Sequence, residues 1–111
     1  SRSDSELVAP VLAGEREAYR ELVERHTRAA HRLAWRITGN DADAEDVVQE
    51  AFLRAYRNLE RFDQRASFAT WLLRIAANYS LDLVRARKRT VVPGEHFPDV
   101  ADRAPTPDRV A

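Results

Sequence analysis

The sequence predicts an all-α protein, a compact bundle of three long helices with a shorter helix at the N-terminus. Two observations lead to this prediction. Apolar residues recur at the three- and four-residue spacing of helices along three long stretches, whereas the two-residue period of strands does not persist. Glycine occurs only three times in 111 residues, so few positions favour a break in a helix.

The first helix is expected at residues 4–13. Ser3 or Asp4 can accept hydrogen bonds from its first backbone N–H groups, and Gly14 can close its last turn. Pro10 lies in the middle of this segment, where its missing N–H weakens the prediction.

The second and third helices are expected at residues 15–38 and 43–60. Gly39-Asn40 is expected to end the second helix, and Asp41 or Asp43 can cap the third helix. The apolar stripe of the second helix comprises Tyr19, Leu22, Val23, His26, Ala30, Leu33, Ala34 and Ile37. The stripe of the third comprises Val48, Ala51, Phe52, Ala55 and Leu59.

The fourth helix is expected at residues 67–89, with Ser67 as its N-cap after a loop at 61–66. Its apolar stripe comprises Phe68, Leu72, Ile75, Ala76, Tyr79 and Leu83. Residues 90–111 contain four of the five prolines and few large apolar residues, so we expect a disordered, mildly acidic linker there. The helical domain is therefore expected to occupy residues 1–89.

Charge is balanced overall but unevenly distributed. Residues 37–53 contain five acids and no base, whereas residues 61–89 contain seven bases and two acids. The sequence thus predicts one acidic and one basic surface, and two different partners. The alternative is that the two surfaces face only solvent or each other.

The acidic surface is predicted on the outer face of the third helix. Five residues lie within about a third of a turn of one another, opposite the apolar stripe: Asp46, Gln49, Glu50, Leu53 and Arg57. A leucine among carboxylates and an amide is typical of a protein-binding patch. A solvated helix face with one stray leucine is the alternative.

The basic surface is predicted to combine arginines with aromatic residues. Its members from the loop and the fourth helix are Arg61, Phe62, Arg65, Ser67, Phe68, Trp71, Arg74, Asn78 and the cluster Arg85 to Arg89. Arginine pairs with phosphate, asparagine can read a base edge and an aromatic ring can stack on an unpaired base, so this pattern favours nucleic acid. The alternatives are that the aromatic residues belong to the core, that Arg85 pairs with Asp82, and that the cluster is solvated.

The sequence contains no pattern typical of an enzyme. Ser, His and Asp are not arranged as a nucleophilic triad, no glycine-rich phosphate loop occurs, and the histidines lack metal-ligand spacing, so no cofactor or metal is expected. The absence of cysteine excludes a disulfide scaffold and fits the cytoplasm. No apolar run approaches the roughly 18 residues of a membrane span, so no membrane insertion is expected.

Two blocks of the sequence resemble region 2 of bacterial RNA polymerase sigma factors of the extracytoplasmic-function (ECF) type. The resemblance extends from about Glu15 to Arg89. The block Asp43-Ala-Glu-Asp-Val-Val-Gln-Glu-Ala-Phe-Leu-Arg-Ala-Tyr56 is similar to the family's polymerase-binding helix. The block Phe68-Ala-Thr-Trp-Leu-Leu-Arg-Ile-Ala-Ala-Asn78, followed by Asp82 and Arg85, is similar to the helix that melts the promoter and recognises its −10 element.

The resemblance implies a transcription-initiation domain with the sigma region 2 fold and two partners. The third helix would dock on the β′ clamp helices of RNA polymerase through Asp46, Gln49 and Glu50, with Leu53 and Arg57 beside them. A base flipped from the non-template strand of the −10 element would be captured by the loop from Phe62 to Ser67, Phe68, Thr70, Trp71 and Asn78. Backbone phosphates would be held by Arg74, Arg85, Arg87, Lys88 and Arg89.

Two further features follow from the family resemblance, and one feature of the sequence departs from it. Its members are commonly held inactive by an anti-sigma factor, which the resemblance implies as a third partner. They also carry a helix-turn-helix domain for the −35 element, toward which the linker at 90–111 is expected to lead. The loop Asp63-Gln-Arg-Ala-Ser67 lacks the glycine often found there in the family.

Two other functions fit parts of the pattern. A helical adaptor would use the outer face of the third helix for protein binding, and its basic helix would merely be solvated. A duplex-reading helix-turn-helix protein needs two short helices and a tight turn, which the long second and fourth helices argue against. Binding to the clamp fragment and to single strands resembling the −10 element separates these functions.

Overall fold

Four helices and one short 3-10 turn make up the part of the chain that the structure, a computed structural model, describes: residues 2–91, with side chains for residues 2–88. The elements are α1 (Asp4–Leu12), α2 (Arg16–Thr38), α3 (Asp41–Arg57), the 3-10 turn (Leu59–Arg61) and α4 (Phe68–Val91). Strands are absent from these residues, and none of their helices is long and apolar enough to cross a membrane. The all-α prediction is confirmed.

Local sequence explains where α1 and α4 begin. The Ser3 hydroxyl accepts a hydrogen bond from the Glu6 backbone N–H at 3.2 Å, and the Glu6 carboxylate accepts one from the Ser3 N–H at 2.8 Å. This reciprocal cap fixes the start of α1 at Asp4, and the helix continues past Pro10 to Leu12. The Ser67 hydroxyl caps α4 as expected, because it accepts from the Thr70 N–H at 3.1 Å.

The start of α3 differs from the sequence prediction. We expected Asp41 or Asp43 as the cap, but Asn40 holds that position, and its side-chain oxygen accepts a hydrogen bond from the Asp43 N–H at 2.8 Å. The helix therefore begins two residues earlier than expected, directly after Gly39, whose φ of 81° closes α2. Both aspartates lie in the first turn of α3, where the helix dipole favours negative charge.

The other helix ends also differ slightly. Helix α3 ends at Arg57, three residues before its expected end, and the 3-10 turn carries Leu59 into the core. Helix α4 continues to Val91, past its expected end at residue 89. The remainder of the expected linker, residues 92–111, lies outside the described residues.

Helices α2, α3 and α4 form the bundle, and α3 runs antiparallel to both neighbours. The Tyr19 hydroxyl, near the start of α2, donates to the Phe52 carbonyl near the end of α3 at 2.6 Å. At the opposite end of α3, Asp43 contacts Arg87 near the end of α4. Helix α1 covers α2 with its buried Leu7, Val8 and Val11.

The buried core follows the expected stripes in part, and α3 and α4 each show a difference. Alanines at the helix contacts allow close packing, and the fully buried residues include Leu22, Ala30, Ala34, Ala51, Ala55, Leu59, Leu72 and Ala76. The stripe of α3 is centred on Ala44 and Val47, whereas the expected Val48 is only half-buried. Ser80, absent from the predicted stripe of α4, is fully buried, and its hydroxyl has no hydrogen-bond partner among the described residues.

Candidate nucleic-acid and partner interfaces

The outer face of α3 is largely open to solvent. Asp46, Gln49 and Arg57 are exposed, and the Leu53 side chain is 49% exposed despite being apolar. Glu50 differs from the other four predicted residues because it is half-buried, with its carboxylate 2.9 Å from the Arg54 guanidinium. The face thus has an apolar centre with a polar rim, the arrangement typical of a protein-binding patch.

On one flank of this outer face, α3 contacts Tyr79 of α4. The Arg54 guanidinium lies over the Tyr79 ring, 4.7 Å from its centroid, while Arg54 also pairs with Glu50. Partial burial, followed by the negative charges of Asp46 and Glu50, raises the pKa of the Tyr79 phenol above its ordinary value. The carboxylates of Asp46 and Glu50, which are predicted to meet a partner, therefore also interact electrostatically with Tyr79 of α4.

On the other flank, α2 and α3 enclose an open groove of about 570 Å³. Its apolar lining comprises Tyr19, Val23, Val48, Phe52, Leu53 and Tyr56, and its polar lining comprises Arg16, Thr27 and Gln49. Burial, with a smaller contribution from Tyr56, raises the pKa of the Tyr19 phenol. Sequence reasoning missed this groove because it treated α3 alone, whereas the groove also needs residues of α2.

Aromatic side chains form one cluster where the loop meets α4. The Phe62 ring lies 4.9 Å from Trp71, at an angle of 30°, and 6.0 Å from Phe68, nearly edge-on. His26 of α2 also contacts Phe68, with ring centroids 5.6 Å apart. Trp71 is half-buried at the surface of this cluster.

The burial of Phe68 requires a correction. We predicted Phe68 among the DNA-binding residues, but it is only 2% exposed and packs against Phe62, Trp71 and His26. Phe62, within the predicted base-capturing loop, is also buried. Both rings therefore support Trp71 from below instead of offering a face for stacking, as the core alternative stated.

The loop before α4 is exposed, and its backbone contains one unusual residue. Gln64 has a φ of 65°, in the left-handed region that glycine adopts readily and glutamine seldom does. The Asp63 carboxylate stabilises the bend by accepting from the Arg65 N–H at 3.1 Å, and it lies 3.3 Å from the Arg65 guanidinium. Arg61 is also exposed and has no ion pair among the described residues.

The predicted nucleic-acid face of α4 runs from its N-cap toward its C-terminus. Thr70 and Arg74 are exposed, while Trp71 and Asn78 are half-buried two helical turns apart, which corresponds to about 10 Å along the axis. The Ser67 and Thr70 hydroxyls lie 3.1 Å apart and are engaged in the helix cap. The four side chains from Thr70 to Asn78 thus form one continuous surface.

Two arginines of the basic cluster at the end of α4 form ion pairs within the chain. Arg85 is half-buried and 3.8 Å from Asp82, so the predicted alternative of an internal pair is present. Lys88 is exposed and has no ion pair among the described residues, and the Arg89 side chain lies outside them. Arg87 pairs with Asp43 of α3, its two terminal nitrogens 2.5 and 2.7 Å from the two carboxylate oxygens.

The Asp43–Arg87 pair joins the acidic and basic surfaces. Asn40 also donates a side-chain hydrogen bond to Asp43, at 2.8 Å. The hydrogen bond from Asn40, followed by those from Arg87, lowers the pKa of Asp43 below its ordinary value. At this point, therefore, the two oppositely charged surfaces contact each other, with Asp43 largely buried and Arg87 still partly exposed to solvent.

A polar cluster that the sequence did not indicate joins α1 to α2. One Asp4 carboxylate oxygen accepts from Arg25 at 2.9 Å, and the other lies 2.7 Å from a ring nitrogen of His26. Hydrogen bonds to Asp4 and then Glu21 raise the pKa of Arg25. Because His26 also contacts Phe68, this cluster connects α1 to the aromatic cluster.

Comparison with known proteins identifies a family and several proteins that this chain resembles. The sequence matches the Sigma-70 region 2 family over residues 22–90. It is 43% identical over 103 residues to the ECF RNA polymerase sigma factor SigM of Mycobacterium tuberculosis, covering 92% of this chain and 53% of that protein. It is 40% identical over 81 residues to the ECF RNA polymerase sigma factor SigW of Bacillus subtilis, covering 73% and 43%. The chain thus spans about half the length of these curated relatives.

A solved structure shares both the fold and the sequence pattern. It is an NMR structure of an engineered region 2 of sigmaE in complex with GTAAAA. The TM-score is 0.74 and the identity 38%, over 83% of this chain and 96% of that one. The similarity therefore covers nearly all of a domain whose own structure was determined with a bound oligonucleotide.

Proposed function

Since this chain belongs to the sigma-70 region 2 family, we propose that it binds RNA polymerase and recognises the promoter −10 element as single-stranded DNA during transcription initiation. The observation that carries the proposal is its similarity to the engineered sigmaE region 2 in complex with GTAAAA. In this proposal the domain is a specificity module, and it contributes binding energy to promoter melting without catalytic chemistry.

The DNA surface is the exposed side of the loop and the first three turns of α4. Trp71 offers a half-exposed ring for stacking on a flipped base, and Asn78 lies two turns further along the same helix. Arg61, Arg65 and Arg74 are exposed around them and can pair with phosphates. Base contacts specify the sequence while phosphate contacts position the strand, so these two groups have different tasks.

The polymerase surface is the outer face of α3. Asp46 and Gln49 are exposed beside Leu53, which gives a partner an apolar anchor with polar neighbours. The groove between α2 and α3 begins at the same residues, because Gln49 and Leu53 line it. We propose that the β′ clamp helices bind this face, with Arg57 at its end and Glu50 held by Arg54.

Energetics explain why such a domain favours an already separated strand. Unstacking a base costs a few kcal/mol, and stacking on an aromatic side chain returns about 1–3 kcal/mol per base. These contributions nearly balance, so melting a duplex leaves little net affinity to an isolated domain. A single strand of the preferred sequence avoids most of that cost and should bind more tightly than the duplex.

Fluorescence anisotropy tests this proposal. The chain would be titrated with labelled hexanucleotides in which each position is varied, with the complementary strands, and with the matching duplexes. We expect one strand sequence to bind best and the duplex to bind more weakly. Asn78→Ala should weaken the preferred strand by roughly 1–3 kcal/mol and leave mismatched strands nearly unchanged.

The adaptor function gives a different result in the same experiments. It requires binding to the clamp fragment without any preference among oligonucleotides. Equal affinity for duplex and single strand, together with an unchanged preference in Asn78→Ala, would contradict DNA recognition by α4 and favour the adaptor.

A further inference from the structure

The ion pair between α3 and α4 has consequences for the basic surface. Arg87 is 54% exposed at its side chain, so it lies where a ligand could reach it, whereas the Asp43 side chain is only 13% exposed. Both terminal nitrogens of Arg87 contact the two carboxylate oxygens of Asp43. The end-on edge of the guanidinium, formed by its two terminal nitrogens, is therefore occupied by Asp43 in the folded chain.

A DNA phosphate can bind the same two terminal nitrogens. Like a carboxylate, a phosphodiester offers two anionic oxygens that guanidinium binds through two parallel hydrogen bonds. Through its end-on edge, Arg87 can make such a bidentate contact with only one of them at a time. Asp43 is also held in place by Asn40, at 2.8 Å, so its carboxylate loses little freedom when it pairs with Arg87.

We propose that Asp43 competes with DNA phosphate for Arg87 and so lowers the sequence-independent affinity of the domain. This inference rests on the proposed function, because the competing ligand is a nucleic acid. Arg87 then adds less to DNA affinity than Arg74, which is exposed and has no ion pair among the described residues. Preference among bases is unaffected, because the pair contacts no base-reading residue.

Counterion release gives the size of the effect. Each phosphate contact adds about 0.7 to the salt slope for a single strand. If the affinities with and without the contact are equal at 1 M salt, one additional contact raises the affinity about eightfold at 50 mM salt and about threefold at 200 mM. These are the gains expected when Arg87 is fully released to phosphate.

The experiment uses the whole chain and a labelled single-stranded hexanucleotide, in preferred and scrambled sequence, at both salt concentrations. Asp43→Asn keeps an acceptor for Asn40 but removes the charge that holds Arg87. Asp41→Asn is the matched control, since it removes the same charge from the same turn, where Asp41 is exposed and 3.8 Å from His31. Asp43→Asn should bind both sequences more tightly by the stated factors, and Asp41→Asn should gain clearly less.

A second comparison does not depend on the stability of an Asp43 variant. Arg87→Gln and Arg74→Gln each remove one cation, and Arg87→Gln should lose clearly less affinity than Arg74→Gln. A third comparison combines Asp43→Asn with Arg87→Gln. In this double variant, the gain in strand affinity that Asp43→Asn produces alone should disappear. Thermal melting of every variant, measured before titration, sets a temperature at which all are folded.

Three results would decide against these expectations. If Asp43→Asn gains no more than Asp41→Asn, the pair does not compete with phosphate. If Arg87→Gln loses as much affinity as Arg74→Gln, Arg87 binds DNA despite Asp43, and the inference is wrong while the proposed function stands. If neither the wild-type chain nor any variant binds any strand, the proposed function itself fails.

Discussion

Two leucines, one exposed and one buried, allow an effect on binding to be separated from an effect on folding. Leu53 on the outer face of α3 is 49% exposed, whereas Leu59, six residues later, is 1% exposed in the core. Leu→Ala removes the same atoms at both positions. The two substitutions therefore differ chiefly in the burial of the side chain, and each serves as the control of the other.

The expected losses of stability follow from burial. Leu59→Ala should lower the free energy of unfolding by about 2–5 kcal/mol, because it leaves a cavity in the core. Leu53→Ala should lower it by about 1 kcal/mol, half of the transfer free energy of a leucine. For a domain of this size each kcal/mol lowers Tm by about 4–8 °C, so the two melting curves should be well separated.

Binding to the β′ clamp should show the opposite order. If Leu53 is the apolar anchor of that interface, its truncation should cost more than about 1 kcal/mol, a loss of roughly fivefold or more in affinity. Circular dichroism gives Tm, and titration of a labelled clamp-helix fragment at a temperature where both variants are folded gives Kd. Equal falls in Tm, or clamp affinity unchanged in Leu53→Ala, would refute the assignment of the outer face.

Three further predictions concern the loop, α4 and their contacts. Phe68→Ala should cost about 3–5 kcal/mol of stability, whereas Trp71→Ala should chiefly remove about 1–3 kcal/mol of strand affinity, as melting and anisotropy would show. The folded-state pKa of Asp43 is lowered, so the stability that its carboxylate contributes is present above its unfolded pKa of about 3.9 and is lost as the pH falls through the folded pKa. In Asp43→Asn, thermal melting at a series of pH values should therefore show a smaller fall in Tm below about pH 4 than in the wild-type chain. Gln64→Gly should raise Tm slightly, since relief of a left-handed residue, about 1–2 kcal/mol, exceeds the added chain entropy of glycine; an unchanged or lower Tm would show that the loop is unstrained.

Helical periodicity predicted the elements and their buried sides, because both depend on residues a few positions apart. The exposed position of Leu53 and the capping role of Ser67 follow from such local patterns. Asn40 was missed as the cap of α3 because it was assigned, with Gly39, to the end of α2, and spacing does not rank it against Asp41 and Asp43.

Contacts between distant parts of the chain could not be read from spacing. Asp43 and Arg87 are separated by 44 positions, so their pairing depends on α3 and α4 lying antiparallel. Phe68 belonged to both the apolar stripe and the nucleic-acid pattern, and its packing against Phe62, Trp71 and His26 decided between them. Long-range packing, more than helix propensity, thus limited the prediction of the site.

Helix α1 supports the proposed base-binding surface although it contributes none of the proposed contact residues. Flipping a base leaves little surplus energy, and ordering a loose side chain on binding would cost about 0.5–1.5 kcal/mol more. That cost is reduced when Trp71 is already held, and its ring packs on Phe62 and Phe68. Phe68 in turn contacts His26, whose ring nitrogen lies 2.7 Å from the Asp4 carboxylate of α1. The contacts from Asp4 to Trp71 therefore give α1 a role in preorganising the surface that the strand would meet.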